Sequence, residues 1–176
     1  SNRLTSCLVN ARACRETEIV VKPAIRSKMI AVVGAGPAGL ATATIAAERG
    51  HQVTLFDAAD EIGGQFNLAK RIPGKEEFYE TLRYFTRMVD LRDVNLRLGT
   101  KVSAHDLARD HYDDIVIATG ILPRRPLIEG IDHPKVVSYA DVIAGTVKVG
   151  RRVAIMGGGG IAVDVAELIS HDGKST

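Results

Sequence analysis

Three glycines, Gly34, Gly36 and Gly39, stand between the apolar run Met29–Val33 and a stretch of small residues that opens with Pro37 and Ala38. In a strand-to-helix turn each would have separate work. Gly34 makes the tight turn, Gly36 lets a pyrophosphate approach the backbone, and Gly39 permits close packing of helix on strand. The helix N-terminus adds free N–H groups and a positive dipole toward an anion. Asp57 lies 23 residues after Gly34, at the end of the next apolar run. A carboxylate there can accept both hydroxyl hydrogens of an adenosine ribose, and its charge repels a 2′-phosphate, so the site suits FAD or NAD better than NADP. Asp57 is expected to act on the ribose alone, leaving the fold indifferent to its loss.

A second turn repeats the pattern. Gly157, Gly158, Gly159 and Gly160 follow an apolar run at residues 153–156, with Ala162 in the third motif position and Asp164 two residues on. G-x-G-x-x-A after a strand is the NAD(P)H-type turn, with Gly157, Gly159 and Ala162 as its contacts. The groups that would separate NADH from NADPH belong after a further strand, so these residues leave that choice open.

The elements that must hold these turns are legible in outline. Residues 29–33 and 52–56 read as strands and residues 37–49 as a helix closed by Gly50. Residues 60–74 form a glycine-rich connection to a helix at 75–89, whose stripe of Phe78, Leu82, Phe85 and Val89 is core. Residues 94–98 alternate as a half-buried strand, 115–118 are a fully apolar one, Ser138 caps a short helix through Ala144, and 153–156 begin a new strand. Strands separated by helices imply a parallel sheet. The expected fold is α/β: a Rossmann-like FAD-binding domain with a parallel sheet, followed by the truncated start of a second Rossmann-like NAD(P)H domain. The expected domains are a lead-in at 1–27, the FAD-binding domain at 28–145 and the NAD(P)H-binding start at 146–176. From residue 153 onward 24 residues remain, fewer than the roughly 30 of one βαβ unit, so the chain is expected to be a piece of a longer protein.

Composition excludes other classes. The 176 residues are 45% hydrophobic and 25% charged with a net charge of +2, and no basic block could neutralise a row of phosphates, so no nucleic-acid partner is expected. The apolar stretch at 29–47 is broken by glycines and Pro37, which reads as strand, turn and buried helix and not as a membrane span. Two cysteines, Cys7 and Cys14, make no disulfide framework, which fits a reducing, cytoplasmic setting. On its own Cys7 reads as a free thiol. The five histidines have neither metal spacing nor a nucleophile partner, and no residue reads as a catalytic acid, base or nucleophile.

Two further runs bear on which dinucleotide sits at the first turn. Glu61-Ile62-Gly63-Gly64-Gln65 and Ile117-Ala118-Thr119-Gly120, the latter with Pro123 and Arg124, resemble flavoprotein signatures in which the first lies along the pyrophosphate and ribityl chain and the second marks a crossing between domains. Together with residues 5–10, the 72–80 run Ile-Pro-Gly-Lys-Glu-Glu-Phe-Tyr-Glu and Gly130-Ile131-Asp132-His133-Pro134, they resemble bacterial NADPH-dependent 2,4-dienoyl-CoA reductase over nearly the whole chain. Trimethylamine dehydrogenase and the enoate reductases share that architecture. The resemblance implies a longer enzyme with an N-terminal barrel carrying FMN and the dienoyl-CoA site, then a 4Fe-4S cluster, then FAD and NADPH domains. It implies FAD contacts at Gly64, Gln65, Lys70, Val102, Thr119 and Gly120, and makes Cys7 one cluster ligand with the others upstream. Ala11 stands where relatives commonly have Pro. Competing readings are a trimethylamine dehydrogenase-like or enoate reductase relative and, from another class, a non-catalytic dinucleotide-binding module.

Overall fold

The computed structural model describes Cys7 and residues 10–171. Of the expected lead-in motif, residues 5, 6, 8 and 9 lie outside the described residues, as do Asp172 and Gly173. The described residues divide into two compact units, those up to 64 with 81–120 and residues 65–80 with those from 121 on.

The first unit is built on β1, Met29–Val33. A strand apolar at every position suits a place where both faces are covered, and Ala31 and Val32 are fully buried. β1 is flanked by β2, Gln52–Phe56, on one side and β4, Asp114–Ile117, on the other, with β3, Asn95–Arg97, outside β2. All pairings are parallel, with Val32 opposite Leu55 and Val116. α1, Pro37–Glu48, and α3, Glu77–Leu91, cover one face. Leu40 and Ala43 of α1 and Phe85 and Val89 of α3 pack there with Ile30, Val32, Val53, Leu55 and Val94. Arg92 just past α3 pairs with Glu48 of α1 at 3.3 Å. On the other face Leu107 of α4, Ala104–Arg109, packs on Ala31 and Phe56. A parallel sheet with helices on both faces is the α/β architecture expected of a Rossmann-like domain.

Some elements depart from expectation. α4 was not anticipated, because its six residues carry only one buried apolar side chain, Leu107. What starts it is a reciprocal cap: Ser103 Oγ accepts from Asp106 N at 3.3 Å while Asp106 Oδ2 accepts from Ser103 N at 2.9 Å. The Ser103 hydroxyl donates to the same carboxylate oxygen at 2.7 Å, and this contact first, with the Ser103 amide, holds the Asp106 carboxyl below its ordinary value. β4 is apolar after Asp114, yet Ile115 and Ile117 are 44% and 67% exposed. They lie opposite Ala31 and Val33, on the face that α4 covers farther along the sheet and does not cover at its β4 edge.

The second unit is a small helical cluster. α2, Phe66–Ala69, falls inside the expected connection, and α5, Tyr139–Ala144, and α6, Gly160–Ser170, complete it. Ile72, Ile143 and Val165 form its core. Ser138 caps α5 as expected, its Oγ accepting from Asp141 N at 3.1 Å, and Gly145 closes the helix at φ 74. Phe78 leaves the anticipated stripe and stacks on Phe66 at 4.5 Å between ring centroids. Residues 153–156 form no strand in the described structure. An isolated extended segment has backbone donors and acceptors that only a neighbouring strand can satisfy in register, and no strand is described in this unit. Val153, Ile155 and Met156 are accordingly exposed.

Candidate functional site

β1 is the strand at which the sheet order reverses: the chain goes to β2 on one side and returns to β4 on the other. In open parallel sheets the crevice at the C-terminal end of such a strand is where ligands bind. Gly34 to Gly39 occupy that position. Gly34 has φ +109, and a Cβ on it would stand 2.3 Å from the Ala118 carbonyl oxygen. A Cβ on Gly39 would stand 1.7 Å from the Gly34 oxygen. Gly36 differs: in extended backbone at the N-cap of α1, its hypothetical Cβ would meet only Gly64 Cα, at 4.0 Å. Gly34 and Gly39 are therefore demanded by the fold, and Gly36 guards open space.

The turn is held from several directions. Gly34 N donates to Phe56 O at 2.7 Å, Gly63 N to Ala35 O at 2.8 Å, and Ala118 N to Val33 O at 2.8 Å. Gly64, at φ +51, faces Gly36 so closely that a Cβ on it would lie 3.1 Å from Gly36 Cα. Pro37 begins α1, where its missing N–H costs nothing, and Ala38 and Gly39 stand in the first turn, where amides lack an intrahelical acceptor.

Asp57 follows β2, half-buried. Its Oδ2 accepts from Ala35 N at 2.6 Å and its Oδ1 from Ala59 N at 2.8 Å. The expectation of a side chain without structural work is corrected: Ala35 is fully buried, and Asp57 is the acceptor that satisfies its amide. The remaining lone pairs of the carboxylate can still accept hydroxyl hydrogens. Val102 packs beside Ala31, Phe56 and Leu107. Thr119 and Gly120 follow β4, exposed, with Gly120 at φ +73. Gly34, Gly36, Pro37, Ala38, Gly39, Asp57, Gly64, Val102, Thr119 and Gly120 all belong to the first unit.

Gln65 and Lys70 belong to the second unit. Gln65 donates to Ile121 O at 3.5 Å, the limit of a hydrogen bond, and the Lys70 ammonium lies 2.8 Å from Asn67 Oδ1 and 5.2 Å from the Tyr79 ring centroid. The second glycine turn is in this unit too. Gly157 has φ +120 and Gly159 is the N-cap of α6, extended as Gly36 is at α1. Ala162 N donates to Gly159 O at 2.9 Å. A Cβ on any of Gly157 to Gly160 would meet nothing within 4 Å.

The glycine cradle over α1 and the acid at the end of β2 fit a dinucleotide, with space where a pyrophosphate needs it and an acceptor where a ribose needs it. Other features do not make a comparable site. An open hollow of about 820 Å³, lined by Ile25, Arg26, Lys28, Ile45, Arg49 and His51 among others, lies at the opposite, N-terminal edge of the sheet. Among the described residues no group of three or more His, Cys, Asp or Glu could hold a metal ion. Cys7 is exposed, its Sγ accepting from Asn10 N at 3.4 Å. No helix among the described residues is long and apolar enough to cross a membrane.

Comparison with known proteins agrees with this geometry. A family model described as pyridine nucleotide-disulphide oxidoreductase matches residues 28–175. The chain is 38% identical over 172 residues to a metal reductase of Desulforamulus reducens, covering 96% of this chain and 26% of that protein. It is 33% identical over 174 residues to a cinnamate reductase of Clostridium sporogenes, covering 96% and 25%. A solved 2-naphthoyl-CoA reductase, in complex with 2-naphthoyl-CoA, superposes with a TM-score of 0.87 at 38% identity over 93% of this chain and 25% of that one. The chain thus spans about a quarter of the length of the relatives it matches.

Proposed function

Because the chain belongs to the pyridine nucleotide-disulphide oxidoreductase family, we propose that it is the electron-input part of a longer flavoprotein, receiving electrons from NAD(P)H at the second glycine turn and holding FAD at the first. The observation that carries this reading is the contrast between glycines that the fold demands and Gly36, which leaves room above the α1 N-terminus while Asp57 stands at the end of β2. When bound, FAD supplies the exchange between two-electron and one-electron chemistry. The chain's own residues bind and orient. Amides of Ala38 and Gly39 face the pyrophosphate, Asp57 accepts from the ribose hydroxyls, and Gly64, Val102, Thr119 and Gly120 border the remainder. Gly157, Gly159 and Ala162 receive the nicotinamide dinucleotide in the same manner.

The family's name includes disulphide chemistry, but this chain has only Cys7 and Cys14, both before the matched region. No dithiol within residues 28–175 can relay electrons. The proposed exit is a 4Fe-4S cluster with Cys7 as one ligand, then FMN, then an unsaturated acyl substrate such as a 2,4-dienoyl-CoA. The motif resemblance supports this route, and the relatives named for cinnamate and 2-naphthoyl-CoA support an unsaturated substrate.

Purification of the full-length protein tests the reading. A flavin absorption spectrum, bleached anaerobically by NADPH or NADH, is expected, together with FAD and FMN on extraction. A colourless protein, or a flavin that neither nicotinamide reduces, overturns it.

A further inference from the structure

Lys75 and Asp164 are 89 residues apart in sequence and meet in the second unit, with Lys75 Nζ 2.7 Å from Asp164 Oδ1 and 2.6 Å from Oδ2. Their side chains are 37% and 27% exposed, so both charges are partly withdrawn from water. Asp164 is the fifth residue of α6, the helix that the second glycine turn opens, which sets its backbone about 7 Å of helix rise beyond Gly159. Asp164 lies beyond the first turn of α6, where the helix dipole has fallen off, so it acts on an anion arriving at that end through its own negative charge.

Packing already fixes both partners. Val165, next to Asp164, is buried against Ile72, and Lys75 N donates to Ile72 O at 3.0 Å. The ion pair is therefore not what positions α6, and its remaining effect is on the charge near the turn. We propose that Lys75 is a charge-compensating residue: by neutralising Asp164 it keeps the second glycine turn able to accept the pyrophosphate of the nicotinamide dinucleotide. This rests on the reading of that turn as the nicotinamide site.

The test is binding of NAD⁺ and NADP⁺, which leave the flavin oxidised, to the full-length protein by titration calorimetry. Lys75→Met, which leaves Asp164 unpaired, is expected to raise Kd about three- to tenfold, the size of one charge about 8–10 Å away in a partly screened site. Asp164→Asn is expected to leave Kd unchanged or lower it. The double variant Lys75→Met/Asp164→Asn and the charge-keeping Lys75→Arg are both expected to stay within about twofold of the wild type. Flavin content and far-UV circular dichroism control for folding, and the Asp164→Asn result stands even where Lys75→Met does not fold. If Lys75→Met binds normally, if Asp164→Asn weakens binding as a structural brace would, or if the double variant fails to recover, the compensation is overturned while the nicotinamide site stands. If the folded wild type binds neither nucleotide, the nicotinamide reading falls and the compensation with it.

Discussion

At the residue scale, glycines that look alike in the sequence have different reasons to be glycine, and the difference is measurable. Gly39→Ala puts a Cβ 1.7 Å from backbone oxygen, so the fold must shift; a loss of about 1–3 kcal/mol or more is expected in denaturant titration. Gly36→Ala meets nothing closer than 4.0 Å and should unfold within about 1 kcal/mol of wild type, yet lose FAD, because its methyl occupies the space a pyrophosphate needs. Equal flavin content in Gly36→Ala and wild type would remove the assignment. The motif assigns Gly34 and Gly39 to the turn and its packing and Gly36 to the ligand side; what it does not show is that the atom crowding Gly34 is the Ala118 carbonyl oxygen, 84 positions on. Asp57 was legible as a ribose acceptor and illegible as the partner of Ala35 N, a contact across β1 and β2. Asp57→Ala should therefore destabilise even the cofactor-free protein, by about 1–3 kcal/mol for a buried amide left unpaired. Urea titration of the apo form checks it, with an unchanged midpoint counting against the bond.

At the element scale, the strands and helices with strong periodicity were readable, and those made by other devices were not. β1, α1, β2, α3 and α5 announce themselves through apolar runs, a buried stripe or a Ser cap. α4 depends on its capping box, whose Ser-x-x-Asp pattern at 103–106 is a weak signal beside so little apolar surface. Its stability has a definite pH sense. Asp106 titrates below its ordinary value because Ser103 donates to the charged form, so its contribution is complete above the unfolded value and is lost as pH falls through the lowered one. Hydrogen-exchange protection of residues 104–109 should drop relative to β1 as pH falls below the ordinary carboxylate range, and Ser103→Ala should remove that dependence. The run at 153–156 marks the opposite lesson: an apolar pattern nominates a strand, but only a partner makes one.

At the scale of the whole molecule, the chain holds two units with separate cores and about a quarter of its relatives' length. The nucleotide turns lie within that quarter, which is why they could be read; the acyl site and the remaining cluster ligands are proposed to lie outside it. In the full-length protein, Cys7→Ala should lower iron content while NADPH still bleaches FAD, and substrate reduction should fall at least about tenfold, as expected when one of four cluster ligands is lost. Unchanged iron and turnover would make Cys7 an ordinary thiol. One described contact also carries a consequence for biosynthesis. The carbonyl of Ala118 closes over Gly34, and Ala118 N bonds Val33 O, so the cradle for the first nucleotide takes its final form only after roughly 80 more residues have emerged. At elongation rates of about 5–20 residues per second that is a delay of about 4–16 s, during which the ribosome carries a glycine turn with no roof. Loading of FAD at this cradle is thereby expected to wait for that segment, and a nascent chain arrested short of residue 118 should leave the ribosome without FAD.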